Sequence, residues 1–286
     1  MKMHAVLASV ALALAGSAGA LPRQGRRRRS PLSGNALTMA FNFTVSPSFP
    51  NERISDWYIF NTWMQRSLDL PIHLELHNDF GAQRQAIAAG KVDMIYANPF
   101  DASLLVREQG FRAIARPEGK PDEMVIVVAA DSPTQAVPDL AAGSRIACAD
   151  DPCVNTIGRI LLEPANLDGT NTTELRRETY IQVAKALLRG DADLGFMPVE
   201  AFENLSSLVR RDLRVLVASQ IQVIHHAFLI GPVLFEHATA ITGLLLSMHQ
   251  SDKGQAMLTA LGAQRWQALE QEDVEFMIDI ISTLTT

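Results

Sequence analysis

Ala86-Ile87-Ala88-Ala89-Gly90-Lys91-Val92-Asp93-Met94-Ile95-Tyr96 returns 100 residues later as Ala186-Leu187-Leu188-Arg189-Gly190-Asp191-Ala192-Asp193-Leu194-Gly195-Phe196. Each copy reads as the end of an amphipathic helix, a Gly that stops it, an Asp, and a short apolar strand. The duplication predicts two α/β lobes, each with its own sheet, separated by a cleft.

Working outward from the first copy, Leu37 to Val45 reads as a strand and Ser55 to Leu68 as a helix, with Ile54, Trp57, Ile59, Phe60, Trp63 and Met64 supplying apolar faces. Pro71 to Leu76 alternates as a second strand, Ala82 to Ala89 is a helix, and Val92 to Tyr96 is the third strand. A helix over Phe100 to Glu108 and a strand at Ala113 to Ala115 follow. This β-α-β-α-β order predicts a mainly parallel sheet with helices on both faces. Met124 to Ala130 is an unbroken apolar run, hence a buried strand, and Asp131-Ser132-Pro133 marks the passage to the second lobe.

Around the second copy, Arg145 to Ala149 reads as a strand, Thr156 to Leu162 as a helix start, Tyr180 to Leu188 as a helix and Leu213 to Ala218 as a strand. Ala227 to Ile230 is a strand of the returning chain, followed by helical stretches near 238–250, 254–261 and 273–284. The expected organisation is therefore residues 36–130 with 222–286 as lobe one, 131–221 as lobe two, and a two-strand hinge between them. Paired crossings suit a joint that opens and shuts.

The first twenty residues read as an export signal: Lys2, an apolar run from Ala5 to Ala15, and Ala18-Gly19-Ala20 as a cleavage site. The expected mature start is near Leu21, in the periplasm, with residues 21–35 a basic linker. Arg26 to Arg29 fits poorly there, because positive charge just past a cleavage site opposes translocation. Six of the 25 basic residues (Lys2, Arg23 and Arg26 to Arg29) precede Asn35 and no acidic residue does, leaving 19 basic against 31 acidic, a net charge near −12. Such a surface excludes nucleic acid and anionic membranes as partners. With 48% hydrophobic and 20% charged residues, the chain has the composition of a folded soluble protein.

Cys148 and Cys153 are the only cysteines and enclose Ala149-Asp150-Asp151-Pro152. In an exported protein a close pair most simply forms a disulfide. A thiol pair for a soft metal or for arsenite is the alternative. No G-x-S-x-G, H-E-x-x-H or Walker A motif occurs, so neither an enzyme nor a cofactor is expected. His225-His226 is a poor metal pair, since neighbours on a strand face opposite ways; a hinge position or simple exposure is the expectation. Glu200, Glu203, Asp191 and Asp193 read as solvated carboxylates.

Four segments carry a resemblance. Phe43 to Phe49 (FTVSPSF) looks like a first strand with its Pro-containing loop, and Gly90 to Pro99 looks like a G-x-V-D-strand-G-P element. Met124 to Ser132 with Asp139 to Ala147 looks like a hinge strand leading into a second lobe, and Leu187 to Gly195 like a final G-x-x-D-x-G strand. In order and spacing they resemble the periplasmic phosphate/phosphite/phosphonate-binding proteins of ABC importers. The resemblance implies a two-lobed class II solute-binding fold, usually monomeric, that captures a small anionic solute for an ABC permease. It also implies an oxyanion held by hydroxyls and backbone N–H groups at a helix start in lobe two, where free donors and partial positive charge meet.

Tyr96 and Asn98 lie at a strand's carboxyl end, where α/β folds place ligands, and Ser46 also follows a strand end; to these ligand-binding candidates the resemblance adds Asn155, Thr156, Thr179 and Tyr180. The chain departs from the family there. A typical Ser-Thr-Ser-Gly is Val154-Asn155-Thr156-Ile157-Gly158, the usual hydroxyl-plus-His pair is Thr179-Tyr180, and the lobe-one Gly-Pro is Asn98-Pro99. Loss of hydroxyls and of an imidazole weakens a doubly charged phosphonate most, because charge-assisted hydrogen bonds are the strong ones. The ligand expected is a smaller oxyanion, a differently shaped anion, or an organic molecule. For Thr156, helix capping is an equal reading. The rival function is a periplasmic sensory module delivering ligand, arsenite or another non-phosphonate, to a histidine kinase or chemoreceptor, a membrane sensor in place of the permease.

Overall fold

The computed structural model describes residues 40–49 and 53–285, so the expected signal peptide and the Arg26 to Arg29 linker lie outside the described residues. The first sheet has the order β11-β4-β10-β3-β1-β2, built from β1 (Phe41–Val45), β2 (Ile72–Leu74), β3 (Met94–Ala97), β4 (Arg112–Pro117), β10 (Ala227–Ile230) and β11 (Trp266–Ala268). The second has the order β7-β6-β8-β5-β9, from β5 (Met124–Ala129), β6 (Arg145–Ala149), β7 (Thr173–Arg177), β8 (Leu194–Pro198) and β9 (Leu213–Ala218). In each sheet a central strand has parallel partners on both sides, β2-β1-β3 and β7-β6-β8. Every pairing beyond these trios is antiparallel, so β10 and β5 oppose their trios while β4 and β9 run with them.

Helices α1 (Ile54–Leu68), α2 (Phe80–Ala88) and α3 (Pro99–Gln109) connect the first trio and lead out of it. Helices α4 (Pro152–Leu161), α5 (Tyr180–Leu188) and α6 (Val199–Glu203) do the same for the second. The short helix α7 (Ser207–Arg211) leads into β9, and α8 (Ala238–Ser247), α9 (Asp252–Ala260) and α10 (Gln271–Thr285) close the chain.

The repeated phrase performs the same backbone task twice. Gly90 and Gly190 both have positive φ, 65° and 72°, the left-handed turn that ends α2 and α5 at little cost for a residue without Cβ. Lys91 N–H then donates to Ala86 O, and Asp191 N–H to Ala186 O. The following Asp fastens the next strand: Asp93 Oδ2 accepts from Asn42 N at 2.7 Å, and Asp193 Oδ2 from Arg145 N at 2.8 Å. Asp93 and Asp193 therefore clamp parallel strand pairs. Arg145 also pairs with Asp193 through its side chain, which holds the Asp193 carboxyl below its usual range.

Met124–Ala129, expected at the end of lobe one, is hydrogen-bonded between β8 and β9 of the second sheet. An apolar run reports burial on both faces but not which sheet supplies the neighbours. The chain thus passes between sheets over residues 118–123 and returns over 219–226. The two crossings hold each other. Asp122 N donates to Ile224 O at 2.7 Å, Gln222 N to Glu123 Oε1 at 2.7 Å, and Ser219 Oγ to the Glu123 carboxylate.

Alternation along the strands divides the cores. In β3, Met94 and Tyr96 join Trp57, Phe60, Ile241 and Leu258 beneath α1, α8 and α9. In β5, Val125 and Val127 join Val183 and Leu187 beneath α5. Ile95, Ile126, Ile146, Ile157 and Met277 share a third core that unites both sheets through α3, α4 and α10.

Candidate functional site

A cavity of about 1310 Å³ is lined by loops and helix starts beside the first sheet, by strand ends of the second, and by both crossings. Starts of α2, α3, α4 and α5 converge on it through Asp79, Asn98, Asp151 and Thr179. Strand carboxyl ends and helix starts are where α/β folds present free backbone donors.

On the lobe-one side a chain of hydrogen bonds runs from a crossing into α3. Asp122 Oδ2 lies 2.7 Å from His226 Nδ1, and His226 Nε2 lies 3.2 Å from Ser48 Oγ. Ser48 Oγ is 3.2 Å from Ser46 Oγ, which accepts from Asn98 Nδ2 at 3.3 Å. Asn98 Oδ1 caps α3 by accepting from Asp101 N, and its Nδ2 donates to Asp101 Oδ2 at 2.6 Å. Arg84 Nε donates to the same buried carboxylate at 2.7 Å. Gln83, fully buried on α2, donates to Val45 O and so fixes the end of β1 just before Ser46.

Burial opposes charge on the His226 ring, but the Asp122 carboxylate outweighs it and raises the imidazole above its ordinary value. Phe49 and Tyr96 flank the same ring at 5.5 and 5.3 Å. His225 turns away into the interior, where burial pushes it down to about 4 and keeps it neutral.

On the lobe-two side Asp151 is the cap of α4 and is 4% exposed. Its Oδ1 accepts from Val154 N at 3.3 Å, and its Oδ2 accepts from the Tyr180 hydroxyl at 2.9 Å. Burial raises the Asp151 pKa against the opposing pull of those donors and of His226. Burial and the Asp151 charge raise Tyr180 well above its ordinary value, so it stays a neutral donor.

The structure distributes the seven sequence-derived candidates unevenly. Asn98, Thr179 and Tyr180 line the cavity. Ser46 is buried one hydrogen bond behind it. Tyr96 is packed among Phe49, Trp57 and His226, behind the cavity surface. Asn155 and Thr156 are not at a helix start, because α4 begins at Pro152, whose missing N–H costs nothing at a first helical position. Asn155 instead sits inside α4 and donates to Ala149 O at 2.8 Å. Thr179 accepts from Gln182 N as the cap of α5.

The expected disulfide is not formed: Cys148 and Cys153 are free and buried. Cys148 lies on β6 and Cys153 in the first turn of α4, and both pack into the core shared by the sheets. Burial drives both thiols up, Cys148 to about 11.

Sequence reasoning overlooked Ser48, Asp122, Asp151 and His226 as a set. Asp151-Pro152 is a readable cap-and-first-turn signal, whereas the His226–Ser48 contact joins residues 178 apart. Glu200, expected to be solvated, is a partner of both Arg53 and Lys120 (2.8 Å to Lys120). Burial would raise it, but Lys120 and Arg53 together hold it below the usual carboxylate range.

A family model described as ABC transporter, phosphonate, periplasmic substrate-binding protein matches residues 43–274. The fold is similar to that of a binding protein component of an ABC phosphonate transporter from Pseudomonas aeruginosa, at 16% identity and TM-score 0.71, over 86% of this chain and 89% of that one. It is similar to PhnD1 from Prochlorococcus marinus, solved in complex with methylphosphonate, at 12% identity and TM-score 0.74, over 86% and 98% of the two chains. It also resembles the periplasmic aliphatic sulphonate binding protein SsuA from Escherichia coli, at 16% identity and TM-score 0.61, over 85% and 87%. Among curated proteins none matches the sequence. The family match runs from β1 to α10, through both sheets and both crossings, and the chain belongs to the periplasmic phosphonate-type substrate-binding proteins of ABC transporters.

Proposed function

We propose that this protein captures a small oxyanion of the phosphate, phosphite or phosphonate type, or a related anionic solute, and presents it to an ABC permease. The observation that carries this reading is the cavity between the two sheets, where helix starts from both halves and a hinge imidazole held by Asp122 converge. The methylphosphonate bound by the similar PhnD1 supports the ligand class. Asp151 caps the helix start at which an oxyanion was expected.

The mechanism is binding with closure. The two sheets turn about the crossings at 118–123 and 219–226, the ligand joins groups from both halves, and no bond is made or broken. The closed form then offers the permease a different surface from the open one. We propose further that the mature chain starts near Leu21, acts in the periplasm as a monomer, and has no nucleic-acid partner.

A thermal-shift screen of the mature protein against phosphate, phosphite, methylphosphonate, sulfate, arsenite and small carboxylates tests the reading. A ligand at 100 times its Kd stabilises the folded form by about 2.7 kcal/mol. Stabilisation by a phosphorus oxyanion is the expected result. Absence of any shift with these anions overturns the ligand class.

A further inference from the structure

We infer that Glu200 is a clasp: by binding Arg53 and Lys120 it holds the two halves of the cleft together, and its release of Arg53 governs how readily the cleft opens. The inference rests on the closure mechanism proposed above and assigns the contact that biases it.

Arg53 stands immediately ahead of α1 and Glu200 in the first turn of α6. Among the described residues, theirs is the one ion pair that joins the two halves outside the crossings.

Both sides of the pair are shaped to meet. On the first-sheet side, the Arg53 guanidinium donates to Leu261 O at 3.3 Å and lies against Gly262. A Cβ at position 262 would stand 2.6 Å from Arg53 Nη1, and φ there is 75°, so glycine keeps open the space that the guanidinium fills. Lys120, in the first crossing, donates through Nζ to Gly262 O at 3.2 Å and pairs with Glu200 at 2.8 Å. On the second-sheet side, Val199 N donates to Glu123 O at 2.9 Å, which ties the start of α6 to that same crossing. Two cations held from the first-sheet side thus face a single carboxylate.

This geometry makes the two cations unequal. Lys120 lies in the crossing to which α6 is tied, so its contact with Glu200 survives a turn of the halves. Arg53 is held by α1 and by the turn after α9, and it departs with the first sheet. Opening therefore breaks the Arg53 contact alone, and Glu200 keeps a partner throughout. A half-buried carboxylate stripped of every partner would oppose opening far more strongly. The side chains of Arg53, Lys120 and Glu200 are 19%, 27% and 30% exposed, so salt reaches the pair and its weight is a few-fold bias rather than a lock. Against the effect of burial, Lys120 and Arg53 hold the Glu200 carboxyl below its usual range, which keeps the clasp charged near neutral pH. The third core also joins the halves, but apolar contact is not screened by salt, so ionic strength separates the two contributions.

The test is pulsed electron resonance between spin labels at Ile59→Cys and Leu208→Cys, an exposed position on each half, in the full mature chain with no solute added. The labelled chain with Glu200 intact is expected to show mainly the shorter distance in low salt, with the longer distance gaining as salt rises. Glu200→Gln should raise the ratio of longer to shorter distances about fivefold in low salt and remove most of the salt response. Arg53→Gln should do the same, and the double variant should match either single one, a coupling that general loosening of the fold does not produce. Unchanged distances in both variants, or additive effects of the two, overturn the clasp; if methylphosphonate still shortens the distance, capture by closure stands. One distance in every variant, with and without methylphosphonate, overturns the closure reading and the clasp with it. The fivefold change without any response to methylphosphonate supports the clasp while the ligand class falls.

Discussion

The two copies of the repeated unit agree in the interior and part company at the cleft. Across the constant offset of 100 residues, Gly90 and Gly190 turn the chain, and Asp93 and Asp193 clamp a parallel neighbour. At their cleft ends the same offset pairs Asp79 with Thr179 as caps of α2 and α5, and Asn98 with Pro198 ahead of α3 and α6. Asn98 makes a saturated polar knot, while Pro198 caps with no side-chain bond. The shared part of the repeat builds sheets. The divergent part faces the cavity.

The sharpest way to break this comparison is Asn98→Ala. It removes the cap of α3 and leaves the buried Asp101 carboxylate short of a donor, and we expect a loss of about 2–3 kcal/mol. Pro198→Ala, at the matching place, should cost about 1 kcal/mol or less, chiefly through the unfolded chain. Urea denaturation of both variants measures the contrast, and equal losses would erase it.

A second contrast lies one step inside. Position 95 is Ile and position 195 is Gly, because α5 lies close over β8: a Cβ at 195 would meet Val183 Cγ1 at 2.9 Å and Leu187 Cδ1 at 3.1 Å. Gly195→Ala is expected to cost about 1–2 kcal/mol through overpacking. A lowered melting temperature with an unchanged denaturant slope checks it.

The smallest effect concerns His226, which lies outside both copies. Its pKa is raised on folding, so the Asp122–His226 pair contributes stability that is fully present below the ordinary imidazole value of about 6.5 and is lost as pH rises through the folded value. The stability difference between wild type and His226→Gln should therefore be about 1 kcal/mol in mild acid and shrink on the alkaline side. A gap that widens with pH would contradict the assignment of Asp122 as the partner that sets it.

Local signals in the chain were legible wherever one residue type settles the backbone. Gly90 and Gly190 announced their turns, and Arg145–Ala149, Tyr180–Leu188, Leu213–Ala218 and Ala227–Ile230 have the boundaries read from pattern alone. Thr173–Arg177 escaped notice because it is an edge strand with one parallel partner, so T-E-L-R-R needs little apolar alternation. The helix expected from Thr156 starts four residues earlier, at Pro152, because Asp151 supplies the cap and Pro152 suits a first helical position. Of the site, Asn98 was legible from its place at a strand end, and Thr179 and Tyr180 only through the family resemblance. The Asp122–His226–Ser48 chain was not, since it exists only once a crossing folds against the loop after β1.

One further consequence follows from the engagement of Glu200 by Arg53 and Lys120. Arg53 precedes α1 beside the first sheet, Glu200 belongs to α6 beside the second, and all three residues line the cavity. The cleft thus carries its own competitor. An anion approaching those cations meets a carboxylate already in place. The carboxylate that holds these two cations together also ties the residue ahead of α1 to the first turn of α6.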